Sequence, residues 1–249
     1  MCMGSPSSRA RRTARARQLA FGFRTWGGAR VRAGRPPNGK VAGVSHLRRP
    51  SQSRHHPLHV TLRISRGVPS LRARLFASVR HALAAGRERF GFRLVHFSVQ
   101  SNHLHLLVEA DDRRALARGV QGLCVRVARA VNRQLERKGR LFADRYHARI
   151  LKTARAAHFA LRYVLLNARK HSARGAGAAV PIGFIDECSS AAWFDGFARP
   201  AALAFGARRV RAEWAAASRL ASPVVRPQSW LLRVGYRSLD FDVDDVPGA

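Results

Sequence analysis

The chain has 249 residues, 46% of them apolar, enough for one sizeable core with tails or two small units. Its 46 basic residues against 14 acidic ones give a formal charge of +32, which disfavours a cationic partner and points to a polyanion. No apolar run approaches the roughly 18 residues needed to cross a bilayer, and Cys2, Cys124 and Cys188 lack the spacing of a metal site or an even disulfide framework.

The cysteines fit reduced thiols of a cytosolic protein. Nearly all the basic residues are Arg, the lysines being Lys40, Lys138, Lys152 and Lys170. Guanidinium suits bidentate phosphate contact, although richness in Ala, Arg and Gly also fits a GC-rich coding sequence. Residues 1–54 read as a basic, disordered arm broken by Arg35-Pro36-Pro37-Asn38-Gly39. Gln18–Phe23 is too short and interrupted for a signal-peptide core.

Order begins at Pro57. Leu58, Val60, Leu62 and Ile64 alternate with His59, Thr61 and Arg63, the pattern of a half-buried strand. Ser70 is expected to cap a helix carrying Leu71, Leu75, Val79 and Leu83, ending at Gly86. Phe92–Val99 and His103–Glu109 read as strands joined by a turn at Ser101-Asn102. Asp111 or Asp112 then caps a long helix with Leu116, Val120, Leu123, Val127, Val131 and Leu135 on one stripe, and Gly139 as its stop. Arg118, Arg126, Arg129, Arg133 and Arg137 lie off that stripe, as a solvated face or a ridge for DNA. His147–Leu151 is a short strand, and Thr153 caps a last helix that carries Tyr163 and Asn167 and ends before Gly175-Ala176-Gly177.

Strand, helix, strand, strand, helix, strand, helix is the order of an α+β, ferredoxin-like sandwich: an antiparallel sheet with helices on one face. The domain is expected over residues 55–175. Residues 176–249 form a C-terminal extension, of which Ile182–Phe197 packs on the domain, ending in an acidic tail with Asp240, Asp242, Asp244 and Asp245.

Alternation places His103 and His105 on one strand face with Leu104, Leu106 and Val108 behind. Alone, such histidines are commonly ordinary polar-face residues, although neutral imidazoles on alternate positions suit a divalent ion. A Tyr in Tyr163-Val164-Leu165-Leu166 is most often a core aromatic with its hydroxyl at the rim. Asn167 is a poor helix former and needs a reason, either a metal contact or a hydrogen bond to a loop.

Taken together, three segments resemble the single-tyrosine HUH transposases, named for a His-hydrophobic-His motif, and particularly the REP-associated tyrosine transposase-like proteins of bacteria. They are Ser101-Asn102-His103-Leu104-His105-Leu106-Leu107, Gly139–His147, and Tyr163-Val164-Leu165-Leu166-Asn167-Ala168-Arg169-Lys170-His171. The resemblance implies a divalent cation, Mg²⁺ or Mn²⁺, on His103 and His105 with Asn167 completing the shell. Tyr163 is then the nucleophile, forming a 5′-phosphotyrosine on single-stranded hairpin DNA. Arg118, Arg126, Arg129, Arg133, Arg145 and Lys170 are candidate DNA contacts. Tyr146 is the rival nucleophile. His147 and His171 are candidate proton carriers or phosphate contacts, and His59, on the polar face of the first strand, is a candidate neighbour of the metal; for each, an ordinary surface histidine is the better reading. Relatives occur as monomers and as dimers, so a homodimer is one arrangement the resemblance allows. Relatives often carry Pro after the Asn where this chain has Ala168, which would let the helix run on through Lys170. The competing functions are a hairpin-binding module of the same fold without catalysis and a generic basic RNA-binding protein.

Overall fold

The structure, a computed structural model, describes residues 51–168, 184–197 and 222–239, together with Met1 and Asp242. The basic arm up to residue 50, the Gly175-Ala176-Gly177 linker, Lys170, His171 and the rest of the acidic tail lie outside the described residues.

Five strands form one antiparallel sheet: β1 (Leu58–Arg63), β2 (Glu88–Arg89), β3 (Phe92–Val99), β4 (His103–Ala110) and β5 (His147–Ile150), in the order β2-β3-β4-β1-β5. The histidine strand β4 is therefore central, paired with both β1 and β3. Three helices accompany it: α1 (Phe76–Ala85), α2 (Arg113–Gln134) and α3 (Ala154–Leu165). A short α4 (Trp230–Arg233) lies in the C-terminal extension. This is the α+β arrangement the element order predicts, with the two-residue β2 added. Among the described residues, no helix is long and apolar enough to cross a membrane.

Period-two alternation divides the sheet into two faces. Leu58, Val60, Leu62, Leu104, Leu106 and Val108 turn to one side and pack under the stripes of α1 and α2. Gly119 lets α2 lie close, since a Cβ there would fall 2.0 Å from the Phe92 ring. The third helix departs from the one-face expectation. It packs with Val95 and Leu107 in a second cluster, on the side where the alternate residues of β4 point. Its apolar positions Ala157, Leu161 and Val164 require a surface, and α1 and α2 already cover the other one.

Three helix boundaries move from their expected places. α1 starts at Phe76 rather than at Ser70, because Leu71 donates its N–H to Ser101 and Arg72 reaches across to Asp186; residues 71–75 are turns, with Leu71 and Leu75 still buried. α2 ends at Gln134, before Gly139, because Glu136 itself takes a left-handed conformation with φ 49°. α3 ends at Leu165, with Leu166 out of helical geometry at φ −108° and ψ 22°. Val164, Leu165 and Leu166 are all buried, and three consecutive positions at 100° apart cannot share one helix face. The break resolves that conflict. The two N-caps are as expected: Asp112 Oδ1 accepts from the Ala115 N–H at 2.7 Å and Thr153 Oγ1 from Ala156 at 3.1 Å.

The C-terminal segments are tied down by buried ion pairs. Arg72 holds Asp186 with two hydrogen bonds of 2.8 and 2.7 Å. Glu109 is fully buried; its carboxylate accepts from Arg93 and from the backbone N–H groups of Gln228 and Ser229, both at 2.8 Å. Residues 188–190 run along β3 beyond the short β2, bonding at Phe97 and Val99.

Candidate active site

The face of the sheet turned toward α3 is polar where the other is apolar. Register sets its members: His103 lies opposite Arg63, His105 opposite Thr61 and Ser98, and Thr61 opposite His147 on β5. Residues directly opposite on antiparallel strands share a face. The two histidines of β4 thus sit in the middle of the sheet, where the backbone is held from both sides, with ring centroids 4.6 Å apart.

Tyr163 comes to them from above. It occupies the last turn of α3, half-buried, and its ring lies edge-on to His105 at 4.9 Å. His59, from β1, completes the cluster at 5.2 Å from His105 and 5.7 Å from Tyr163. Residues 59, 103, 105 and 163, drawn from three elements, are thereby brought together. Tyr146 packs instead with the cluster beneath α1 and α2. The third tyrosine, Tyr236, is buried against α3, where its carbonyl accepts from His158 Nδ1 at 3.2 Å.

Hydrogen bonds orient the imidazoles. Asn102 Oδ1 lies 2.7 Å from His103 Nδ1; an amide oxygen only accepts, so Nδ1 carries the proton and Nε2 the lone pair of the neutral ring. His105 Nδ1 is engaged by His59 Nε2 at 3.2 Å and Thr61 Oγ1 at 3.3 Å, and its Nε2 is buried. Burial, aided by the nearby His147 and Arg149 charges, pushes His59 down to about 4, so it is neutral at pH 7. A neighbour that fixes one ring nitrogen orients the other, which is what a histidine needs in order to meet a ligand.

Asn167 lies just past the break at Leu166, where helical backbone resumes with Ala168. It is 1% exposed, and among the described residues neither its Oδ1 nor its Nδ2 has a hydrogen-bond partner. A buried amide left unsatisfied at both atoms costs on the order of 1–3 kcal/mol per group, so a missing partner is implied. Among the described residues, no group of three or more His, Cys, Asp or Glu side chains is placed to hold a metal ion. The donors present are two imidazoles and an amide. They fit a divalent ion with open positions, because a catalytic centre keeps coordination sites for water and substrate.

The expected DNA contacts divide. Arg118, Arg129 and Arg133 are exposed, but on α2, across the sheet from the histidines. Arg126 is partly buried and donates to the Gly122 carbonyl. Arg145 is half-buried in the loop before β5, and its N–H donates to Asp144 Oδ1. On β1 and β5 the exposed arginines of the histidine face are Arg63 and Arg149, and neither is among the DNA contacts expected from sequence. The signal was available: alternation on β1 puts Arg63 in step with Thr61 and His59. His59 reads as an ordinary surface histidine from sequence because a lone strand histidine carries no mark of the partners that β4 and α3 bring.

Known proteins supply the remaining context. No curated protein matches the chain in sequence. Among solved structures, a REP-associated tyrosine transposase bound to a REP hairpin is similar at 13% identity, with a TM-score of 0.44 over 53% of this chain and 76% of that one. Residues 53–165, which include His59, His103, His105 and Tyr163, match the model of the family described as transposase IS200 like.

Proposed function

We propose that this chain cuts and rejoins single-stranded DNA beside a hairpin, with Tyr163 as nucleophile and a divalent cation held by His103, His105 and Asn167. The observation that carries this reading is the meeting of Tyr163 with the paired imidazoles on the face of the sheet away from α1 and α2. The match of residues 53–165 to the IS200-like transposase family model supports DNA strand transfer as the class of reaction.

The chain's own groups act as follows. His103 and His105 present neutral nitrogens toward one region, fixed by Asn102, His59 and Thr61. Arg63 and Arg149 flank that region and hold the phosphates on either side of the scissile one. Bound Mg²⁺ or Mn²⁺ supplies positive charge against the phosphate oxygens as negative charge builds there. The Tyr163 phenolic oxygen, losing its proton, forms a bond to phosphorus while the bond to the 3′ oxygen breaks. The products are a 5′-phosphotyrosine and a 3′-hydroxyl, the departing oxygen having taken up a proton. Attack by another 3′-hydroxyl reverses these steps and joins two strands, with no external energy source. Such an enzyme works where DNA is, in the cytoplasm.

The test is covalent trapping on a labelled hairpin oligonucleotide with Mn²⁺ or EDTA. A metal-dependent adduct absent in Tyr163→Phe is expected. Tight hairpin binding without any adduct would instead support a DNA-binding protein of the same fold that has lost catalysis.

A further inference from the structure

The tip of the β2–β3 hairpin carries a side chain that neither the core nor the histidine face uses. Arg89 pairs with Phe92, so Phe90 and Gly91 form a two-residue turn. Both have positive φ, 48° and 77°, as a type I′ turn requires. Glycine is obligatory at the second position, where a Cβ would also fall 2.2 Å from the Asp111 carboxylate. The first position favours Asn, Asp or Gly, and a bulky aromatic there is strained. Phe90 is nevertheless 84% exposed, so no burial offsets the strain. An aromatic ring that is both strained and in water implies a contact outside the chain.

We propose that Phe90 is a stacking platform for an unpaired base of bound single-stranded DNA, an inference that rests on the DNA reading above. The surroundings select this occupant. Arg87, Glu88, Arg89, Asp111, Asp112 and Arg113 around the tip are all exposed and polar, so the ring stands alone rather than in the apolar patch a protein interface requires. One flat ring between guanidinium groups is the unit by which proteins hold unpaired strands: the ring meets the base and the cations meet the phosphates. Arg87 and Arg89 flank Phe90, and neither forms an ion pair among the described residues. The formal +32 of the chain favours the same partner.

The experiment compares wild type, Phe90→Asn and Phe90→Trp by fluorescence anisotropy on a labelled hairpin oligonucleotide with a single-stranded 5′ extension, alongside thermal melting. Asn suits the turn and cannot stack, so Phe90→Asn should melt at a higher temperature while its affinity falls roughly 5- to 150-fold. The slope of log affinity against log salt should stay the same, because no phosphate contact is removed. Phe90→Trp should keep the wild-type affinity. Unchanged affinity in Phe90→Asn overturns the proposal, as does a joint fall in melting temperature and affinity, which would make Phe90 structural. Unchanged DNA affinity with loss of self-association would assign the ring to a second copy of the chain. Absence of binding by wild type itself would remove the DNA reading, and the role of Phe90 with it.

Discussion

The two faces of the central sheet are made by the same strands and do opposite things. Beneath α1 and α2, every inward side chain of β1 and β4 is apolar and buried, and the result is a core. Beneath α3, the alternate positions of those strands carry His59, Thr61, His103, His105 and Glu109. Buried polar groups are costly unless partnered, so this second face is organised by hydrogen bonds and ion pairs rather than by close packing alone. The first face supplies rigidity; the second uses it to hold His59 and His105 against the ring of Tyr163.

Neighbouring residues on β4 break this comparison most sharply. His105→Ala should lower DNA cleavage on the order of a thousandfold while moving stability by no more than about 1 kcal/mol. Leu106→Ala, one residue on and facing the other way, should cost about 3 kcal/mol in denaturant unfolding and leave the rate of the folded enzyme intact. Equal effects of the two on activity would mean the faces are not separate in function.

Acid probes the same contrast from the stability side. Burial pushes the His96 imidazole down to about 3, from 6.5 when unfolded. The unfolded chain therefore binds the extra proton first, and stability present above pH 6.5 is lost as pH falls toward 3. The expected loss is about 4 kcal/mol, seen as falling denaturation midpoints that flatten in His96→Gln. A profile unchanged by that substitution would show that other groups control acid unfolding.

A smaller effect sharpens the role of His59. Removing a group that orients a metal-binding histidine typically costs 10- to 100-fold, so His59→Ala should lower cleavage by that factor and raise the Mn²⁺ concentration for half-maximal rate. An unaltered Mn²⁺ dependence would reduce His59 to packing.

Much of this contrast was legible in the sequence. Period-two alternation marks β1 and β4, the caps at Asp112 and Thr153 mark the starts of α2 and α3, and the order of elements points to the sheet. The placement of α3 was not legible, because an amphipathic helix says only that it needs a surface and not which face is vacant. The break at Leu166 came from three consecutive apolar residues competing for burial, a conflict visible only with their surroundings. Likewise, Arg118, Arg129 and Arg133 formed a plausible ridge on α2, but pairing register rather than helix periodicity put Arg63 and Arg149 beside the histidines.

On the proposed reading, the polar face makes Tyr163 a nucleophile. Trapping on hairpin oligonucleotide with Mn²⁺, run with wild type, Tyr163→Phe and Tyr146→Phe, tests it most directly. A denaturation-stable protein–DNA adduct in wild type and Tyr146→Phe, abolished by Tyr163→Phe and by EDTA, is the predicted result. An adduct that persists in Tyr163→Phe and vanishes in Tyr146→Phe would contradict the assignment and place the chemistry on the wrong side of the sheet.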